Sequence, residues 1–174
     1  VNRRDNQLLR LFASSNNEAA FREIVECHVD LVYSIARRLV ADPHLAEDVT
    51  QNVFQVLAQR AGAVSVKLEN GTSLCGWLHL TTRNLATKMV RTEARRRARE
   101  REAALMNESI APSETEHWEQ IAPQLDYLLA QLPEASRDAL LLRFFERRTA
   151  GEIGRELGIS EEAAQKKWFE HWKL

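Results

Sequence analysis

The chain has 174 residues, with 24 Lys and Arg against 25 Asp and Glu, a formal net charge of −1 that excludes a uniformly basic nucleic-acid packager. Six Gly and four Pro are too few for the many tight turns of an all-β fold. Cys27 and Cys75 stand far apart without a CxxC or a Cys/His cluster, so they read as buried thiols with neither a disulfide framework nor a metal site, and no long apolar run or signal-peptide pattern argues against a cytoplasmic location.

The apolar spacing predicts an all-α protein. Asn2–Ser15 is a short helix able to dock through Leu8, Leu9, Leu11 and Phe12. Ser14, Ser15, Asn16 and Asn17 break it and supply capping oxygens for the next. Over Glu18–Val40 the residues Phe21, Ile24, Val25, His28, Leu31, Ile35 and Leu39 hold helical spacing, which makes His28 a packed core histidine. Asp42-Pro43 ends that helix, because proline disfavours a helical residue before it. His44–Ala61 follows, with Leu45, Val49, Val53 or Phe54, Val56 and Leu57 inward. Glu47, Asp48, Gln51, Asn52 and Gln55 face outward, which by itself suggests only solvent. Gly62–Leu74 contains an Asn-Gly turn signal and reads as a loop.

The organising element is Gly76–Arg101, GWLHLTTRNLATKMVRTEARRRARER. Leu78, Thr82, Leu85 and Met89 form its packing stripe. Roughly 80–100° around the helix lie Trp77, Thr81, Asn84, Lys88, Arg91 and Arg95, running into Arg96, Arg97, Arg99 and Arg101. An aromatic suits an unstacked base, an amide suits a base edge and guanidinium groups suit phosphates, so this face is a candidate nucleic-acid surface. Residues 76–101 carry eight basic and two acidic side chains, a local charge of +6, whereas 102–164 carry five and thirteen, or −8. Such asymmetry points to a narrow electrostatic footprint.

Asn107–Glu119 is acidic, holds Ser, Thr and Pro and lacks an apolar stripe, which is linker composition. The division is therefore 1–104, a linker at 105–120, and a second helical module at 121–174. Leu125, Leu128, Leu129 and Leu132 belong to one helix ending at Pro133, and Ala139, Leu140, Leu142 and Phe145 face inward from the next. Thr149 and Glu152 form a capping box over a short helix. Gly158 turns the chain, Ile159 plugs the turn and Ser160 caps a final helix. That order spells a helix-turn-helix. Its early exposed positions, Ser160, Glu161, Glu162, Gln165, Lys166 and Lys167, are the candidates for the major groove.

On the motifs Phe21–Leu39 (FREIVECHVDLVYSIARRL), Ala46–Phe54 (AEDVTQNVF), Gly76–Ala86 (GWLHLTTRNLA) with its basic tail, and Leu132–Ala164 (LPEASRDALLLRFFERRTAGEIGRELGISEEAA), the chain resembles a bacterial RNA polymerase sigma factor of the extracytoplasmic-function (ECF) type. The resemblance implies two small helical domains, region 2 and region 4, on a flexible acidic linker, with no catalytic chemistry and no cofactor. It implies promoter DNA and core RNA polymerase as partners, an anti-sigma factor as a further candidate, and no membrane insertion. It assigns Glu47, Asp48, Gln51, Asn52 and Gln55 to docking on the clamp of the β′ subunit. Trp77, Thr81, Asn84, Lys88, Arg91, Arg95, Arg96 and Arg97 fall to the −10 element, with Asn84 near a flipped-base pocket. Ser160, Glu161, Gln165, Lys166 and Lys167 fall to the −35 element. The final helix ends early, with Glu170 where a basic residue is usual, so a C-terminal truncation or a continuation into another domain, and weak −35 reading, are expected. The alternatives are a homodimeric helix-turn-helix regulator of duplex DNA and a degenerate sigma-like helical adaptor.

Overall fold

A computed structural model of the protein describes residues 3–40, 42–103 and 116–172. Among them are eight helices and no strand: α1 (Arg3–Ser15), α2 (Glu18–Leu39), α3 (Pro43–Glu69), α4 (Leu74–Ala103), α5 (Glu116–Gln131), α6 (Glu134–Phe144), α7 (Ala150–Leu157) and α8 (Glu161–Trp172). None of the described helices is long and apolar enough to cross a membrane.

One expected cap and one unforeseen cap set the first helix starts. The Asn17 side chain accepts from the Ala20 amide and Asp42 accepts from the His44 amide, each satisfying an N–H that lacks an intrahelical partner. Pro43 occupies the first turn of α3, where its missing N–H costs nothing. The expected loop at 62–74 is a correction. Helix α3 continues through Glu69, because Ala61, Val64, Ser65 and Leu68 stay buried at helical spacing and Ser65 bonds Asn6 of α1. The Asn70-Gly71 pair ends the helix, with Gly71 at φ 95°, a left-handed conformation suited to glycine.

Helices α1–α4 enclose one core, with Leu9, Ile24, Val32, Val53, Leu57, Leu68 and Leu78 at its centre. A second core holds Ala139, Leu141 and Leu142 of α6, Ile153 of α7 and Ala164 of α8. It is completed by Leu31 and Ile35 of α2 and by Cys75 at the start of α4. Helix α2 is therefore buried along two faces, one for each half of the molecule.

Two residues, Cys27 and Phe145, and one boundary depart from expectation. Cys27 is exposed, since an α-helix that turns His28 inward turns its neighbour about 100° away. Leu125 and Leu128 are exposed, whereas Asp126 of α5 is buried and Leu129 packs against the second core. Phe145 lies at the surface beneath the guanidinium of Arg38, 5.5 Å from its ring centroid. Residues 116–120 of the expected linker belong to α5; residues 105–115 lie outside the described residues.

Candidate functional site

Helix α4 is anchored at its base. Ser73 Oγ accepts from the Gly76 amide, and Leu78, His79, Thr82 and Ala86 are buried along one side. Leu85 and Met89 are half-buried beside the first core, as the stripe requires. Trp77 packs on that core and is only partly accessible. Thr81 is half-buried, while Asn84, Lys88, Arg91, Arg95 and Arg96 are exposed. Arg96 donates twice to Glu93, at 2.9 and 2.7 Å, and Arg99 reaches the Arg95 carbonyl. The side chains of Arg97 and Arg101 lie outside the described residues. The arrangement is a rigid rod whose buried side fixes the direction of a cationic, amide-bearing side. Coulomb attraction to phosphates at such a surface is screened by salt over about 8–10 Å.

The polar face of α3 also stands clear. Glu47, Asp48, Gln51 and Gln55 are exposed, while Asn52 is half-buried, its amide donating to the Asp48 carbonyl at 2.8 Å and lying 3.9 Å from Met89 Sδ. Glu47 and Gln51 border a groove of about 580 Å³ between α2 and α3, floored by Val25, Val29, Tyr33 and Phe54.

In the second half, Thr149 and Glu152 form the reciprocal capping box, which holds the Glu152 carboxyl below its usual range through the Thr149 backbone and hydroxyl donors. Gly158 takes φ 69°, and a Cβ on Gly154 would stand 2.7 Å from the Ile159 carbonyl oxygen, so the turn between α7 and α8 needs both glycines. Ser160 caps α8 by accepting from the Ala163 amide. Ser160, Glu161, Glu162, Gln165 and Lys166 are exposed and Lys167 is half-buried. Trp168 packs on the second core beneath Arg143, while Phe169 is exposed.

Sequence reasoning missed the polar seam between the halves. Asp126 accepts from Arg38 Nε and Nη2, at 2.7 and 3.0 Å, and its Oδ1 lies 3.1 Å from Nε2 of the buried His79. Burial pushes the Asp126 carboxyl up, but the His79 and Arg38 bonds outweigh it and leave it below its usual range. Asp138 of α6 accepts from the Ser73 amide at 2.9 Å, and burial holds its carboxyl above the usual range. Nearby, Glu134 accepts from Thr72 Oγ1.

A third cluster joins His28, Cys75 and Glu146. Burial pushes the Cys75 thiol well up, and the charges of Glu146, Asp5 and Glu156 add to it. His28 loses basicity to burial but gains more from Asp5, Glu146 and Glu156, so it stands above its usual value. Glu156 is raised to about 7 by burial and by Glu146 and Asp5. The only signals in the sequence were single polar residues inside apolar stripes, such as His28 and His79. Their partners lie far along the chain, Asp5 at 23 positions and Cys75 at 47 from His28, and Asp126 at 47 from His79.

Two family models match the chain: sigma-70 region 2 over residues 24–96 and sigma-70 region 4 over residues 128–166. A curated relative, the ECF RNA polymerase sigma factor SigE of Mycolicibacterium smegmatis, is 33% identical over 159 residues, covering 86% of this chain and 58% of that protein. Another, the probable RNA polymerase sigma factor RfaY of Xanthomonas campestris pv. campestris, is 30% identical over 161 residues, covering 89% of this chain and 39% of that protein. The chain thus spans well under two thirds of the length of either relative.

Proposed function

This chain belongs to the extracytoplasmic-function branch of the sigma-70 family, and on that premise we propose that it binds core RNA polymerase, directs it to promoter DNA and assists opening of the −10 element. The observation that carries the proposal is the two-sided α4, buried along Leu78, Thr82 and Ala86 and exposed along Asn84, Lys88, Arg91 and Arg95. A base extruded from the duplex loses a few kcal/mol of stacking and pairing, part of which a pocket near Asn84 returns, while the arginines hold phosphates alongside. Trp77 acts chiefly as a packing residue in this scheme.

The clamp of the polymerase β′ subunit docks on Glu47, Asp48, Gln51 and Gln55, with the groove beneath them taking an apolar side chain. Asn52 contributes mainly by holding the helix surface through its bond to Asp48. Helix α8 offers Gln165 and Lys166 to a duplex −35 element, but Glu161 and Glu162 at its start repel phosphates, so −10 reading dominates promoter choice. An anti-sigma factor is a further candidate partner.

Run-off transcription with purified core enzyme on a promoter library tests the scheme. Promoter-specific transcripts are expected with the wild-type chain, and none from a folded Asp48→Arg variant that no longer co-purifies with core enzyme. Specific duplex binding without polymerase would support the regulator alternative instead. Undiminished core binding by the folded variant would refute the docking face.

A further inference from the structure

We propose that His28, Cys75 and Glu146 form a binding site for a borderline divalent transition-metal ion, with Zn²⁺ the best fit, at the seam between the two halves. Cys75 Sγ lies 2.7 Å from Glu146 Oε1 and 4.0 Å from His28 Nδ1, and His28 Nδ1 lies 3.5 Å from Glu146 Oε1. Tetrahedral Zn²⁺ with ligand bonds of about 2.0–2.3 Å requires ligand-to-ligand edges of about 3.3–3.7 Å, which the three distances bracket. A bound ion requires the Cys75–Glu146 edge to lengthen and the Cys75–His28 edge to shorten to that range, while the His28–Glu146 edge already lies in it.

The surroundings prepare each ligand. Asp5 Oδ2 lies 3.1 Å from His28 Nε2, which places the ring proton on Nε2 and leaves the Nδ1 lone pair toward Cys75 and Glu146. A carboxylate behind a histidine is the outer-shell partner that metal-bound histidines ordinarily have. The other oxygen of Glu146, Oε2, is held by Arg148 Nε at 3.1 Å, which keeps Oε1 turned inward. His28 and Cys75 are buried and Glu146 is largely so, giving a dry pocket in which a thiolate, an imidazole and a carboxylate would bind a cation strongly. Three protein ligands leave the fourth tetrahedral position to a water molecule, as at three-ligand zinc sites. Binding replaces the Cys75 thiol proton, which leaves to solvent as the S–metal bond forms; no oxidation state changes.

The ligands come from α2, from the start of α4 and from the segment after α6. An ion can therefore bind all of them only while the two halves are packed together, and binding favours that packed arrangement by mass action. This consequence does not depend on the transcriptional role. If the proposed function holds as well, metal would oppose separation of the two DNA-reading halves.

Co²⁺, a coloured stand-in for Zn²⁺, titrated into the full-length chain provides the test. One equivalent is expected to give tetrahedral visible bands and a sulfur-to-cobalt band in the near ultraviolet, both bleached by one equivalent of Zn²⁺. Cys75→Ser should lose the near-ultraviolet band, whereas Cys27→Ser, altering the exposed thiol, should keep it. Asp5→Asn should weaken Co²⁺ binding by about 10–100-fold while preserving the spectrum. Glu146 lies outside the helices, so Glu146→Gln is the variant to use where Cys75→Ser does not fold. It should weaken binding and abolish the rise in thermal transition that Zn²⁺ gives the wild type. Absence of tetrahedral bands in the folded wild type, or full retention of them in a folded Glu146→Gln chain, would overturn the site.

Discussion

The two halves of the molecule solve burial differently. Helices α1–α4 are long and close a core from their own side chains, from Leu9 through Leu78. Helices α6–α8 span only eight to twelve residues each, and their core is completed by Leu31, Ile35 and Cys75 of the first half. Helices this short are marginal by themselves and gain most of their stability from packing. The contrast implies that the first half folds autonomously and that the second half is partly a client of α2. It also gives α2 and the base of α4 two duties, since the same elements that aim the basic face of α4 also seat α6–α8.

Breaking the seam should expose this asymmetry. The largest effect is expected from Asp126→Ala, which leaves Arg38 and the buried His79 without their shared carboxylate; losing one partner of a buried pair costs about 3–5 kcal/mol. Urea unfolding should then separate into two transitions, with the second half melting first and the first half nearly unchanged. The native carboxyl lies below its unfolded value, so its stabilisation is present above the usual carboxylate range and is lost as pH falls through the depressed native value. Asp138, which is raised, acts in the opposite sense over its own range. Asp126→Asn should therefore flatten the acid limb of the stability profile. A single unshifted transition in Asp126→Ala would show that the halves are not coupled through this residue.

Gly76→Ala sharpens the comparison from the other side. A Cβ there would stand 1.9 Å from Asp138 Oδ1, so the carboxylate must leave the Ser73 amide. A hydrogen bond to a charged group contributes about 1.5–3 kcal/mol, and that range is the expected loss of seam stability. Small-angle scattering should report a larger radius of gyration while helical circular dichroism is retained; unchanged dimensions would mean the seam accommodates the methyl group.

A smaller and more local change is expected from Thr149→Ala, which removes the cap of α7 and should cost about 1 kcal/mol. Only the transition of the second half should move. A matching loss in the first half would refute its autonomy.

The smallest effect separates the two surfaces proposed to face DNA, measured in the complex with core polymerase. Arg91→Ala should lower the salt dependence of promoter binding by about 0.7–0.9 in log–log slope, as removal of one phosphate contact does. Lys166→Ala should change it less, because Glu161 and Glu162 share its helix. Equal slopes for the two variants would put both surfaces on the same footing.

Caps, stripes and turns were legible because they depend on residues within one or two helical turns. Thr149 with Glu152, Gly158, Ser160 and the split of α4 into packing and cationic sides all follow from local spacing. The apolar stripe of α2 was also legible, but not that Leu31 and Ile35 serve a different core from Ile24 and Val32, since neighbouring apolar residues look alike whichever partner covers them. The same ambiguity hid the true end of α3, where an Asn-Gly signal marked a turn but not how far the buried spacing ran towards it. It also left Leu125, Leu128 and Phe145 at the surface despite their apolarity.

The sequence by itself therefore determined the helical class, most helix starts, the helix-turn-helix and the direction of the basic face. Only the tertiary structure decided which polar and charged groups meet: Arg38 and Asp126 across 88 positions, Ser73 and Asp138 across 65, and Cys75 and Glu146 across 71. A periodic pattern shows that a side chain faces inward. It does not specify which distant group answers it, because that pairing is set by how whole helices pack and by the high cost of leaving a buried charge alone.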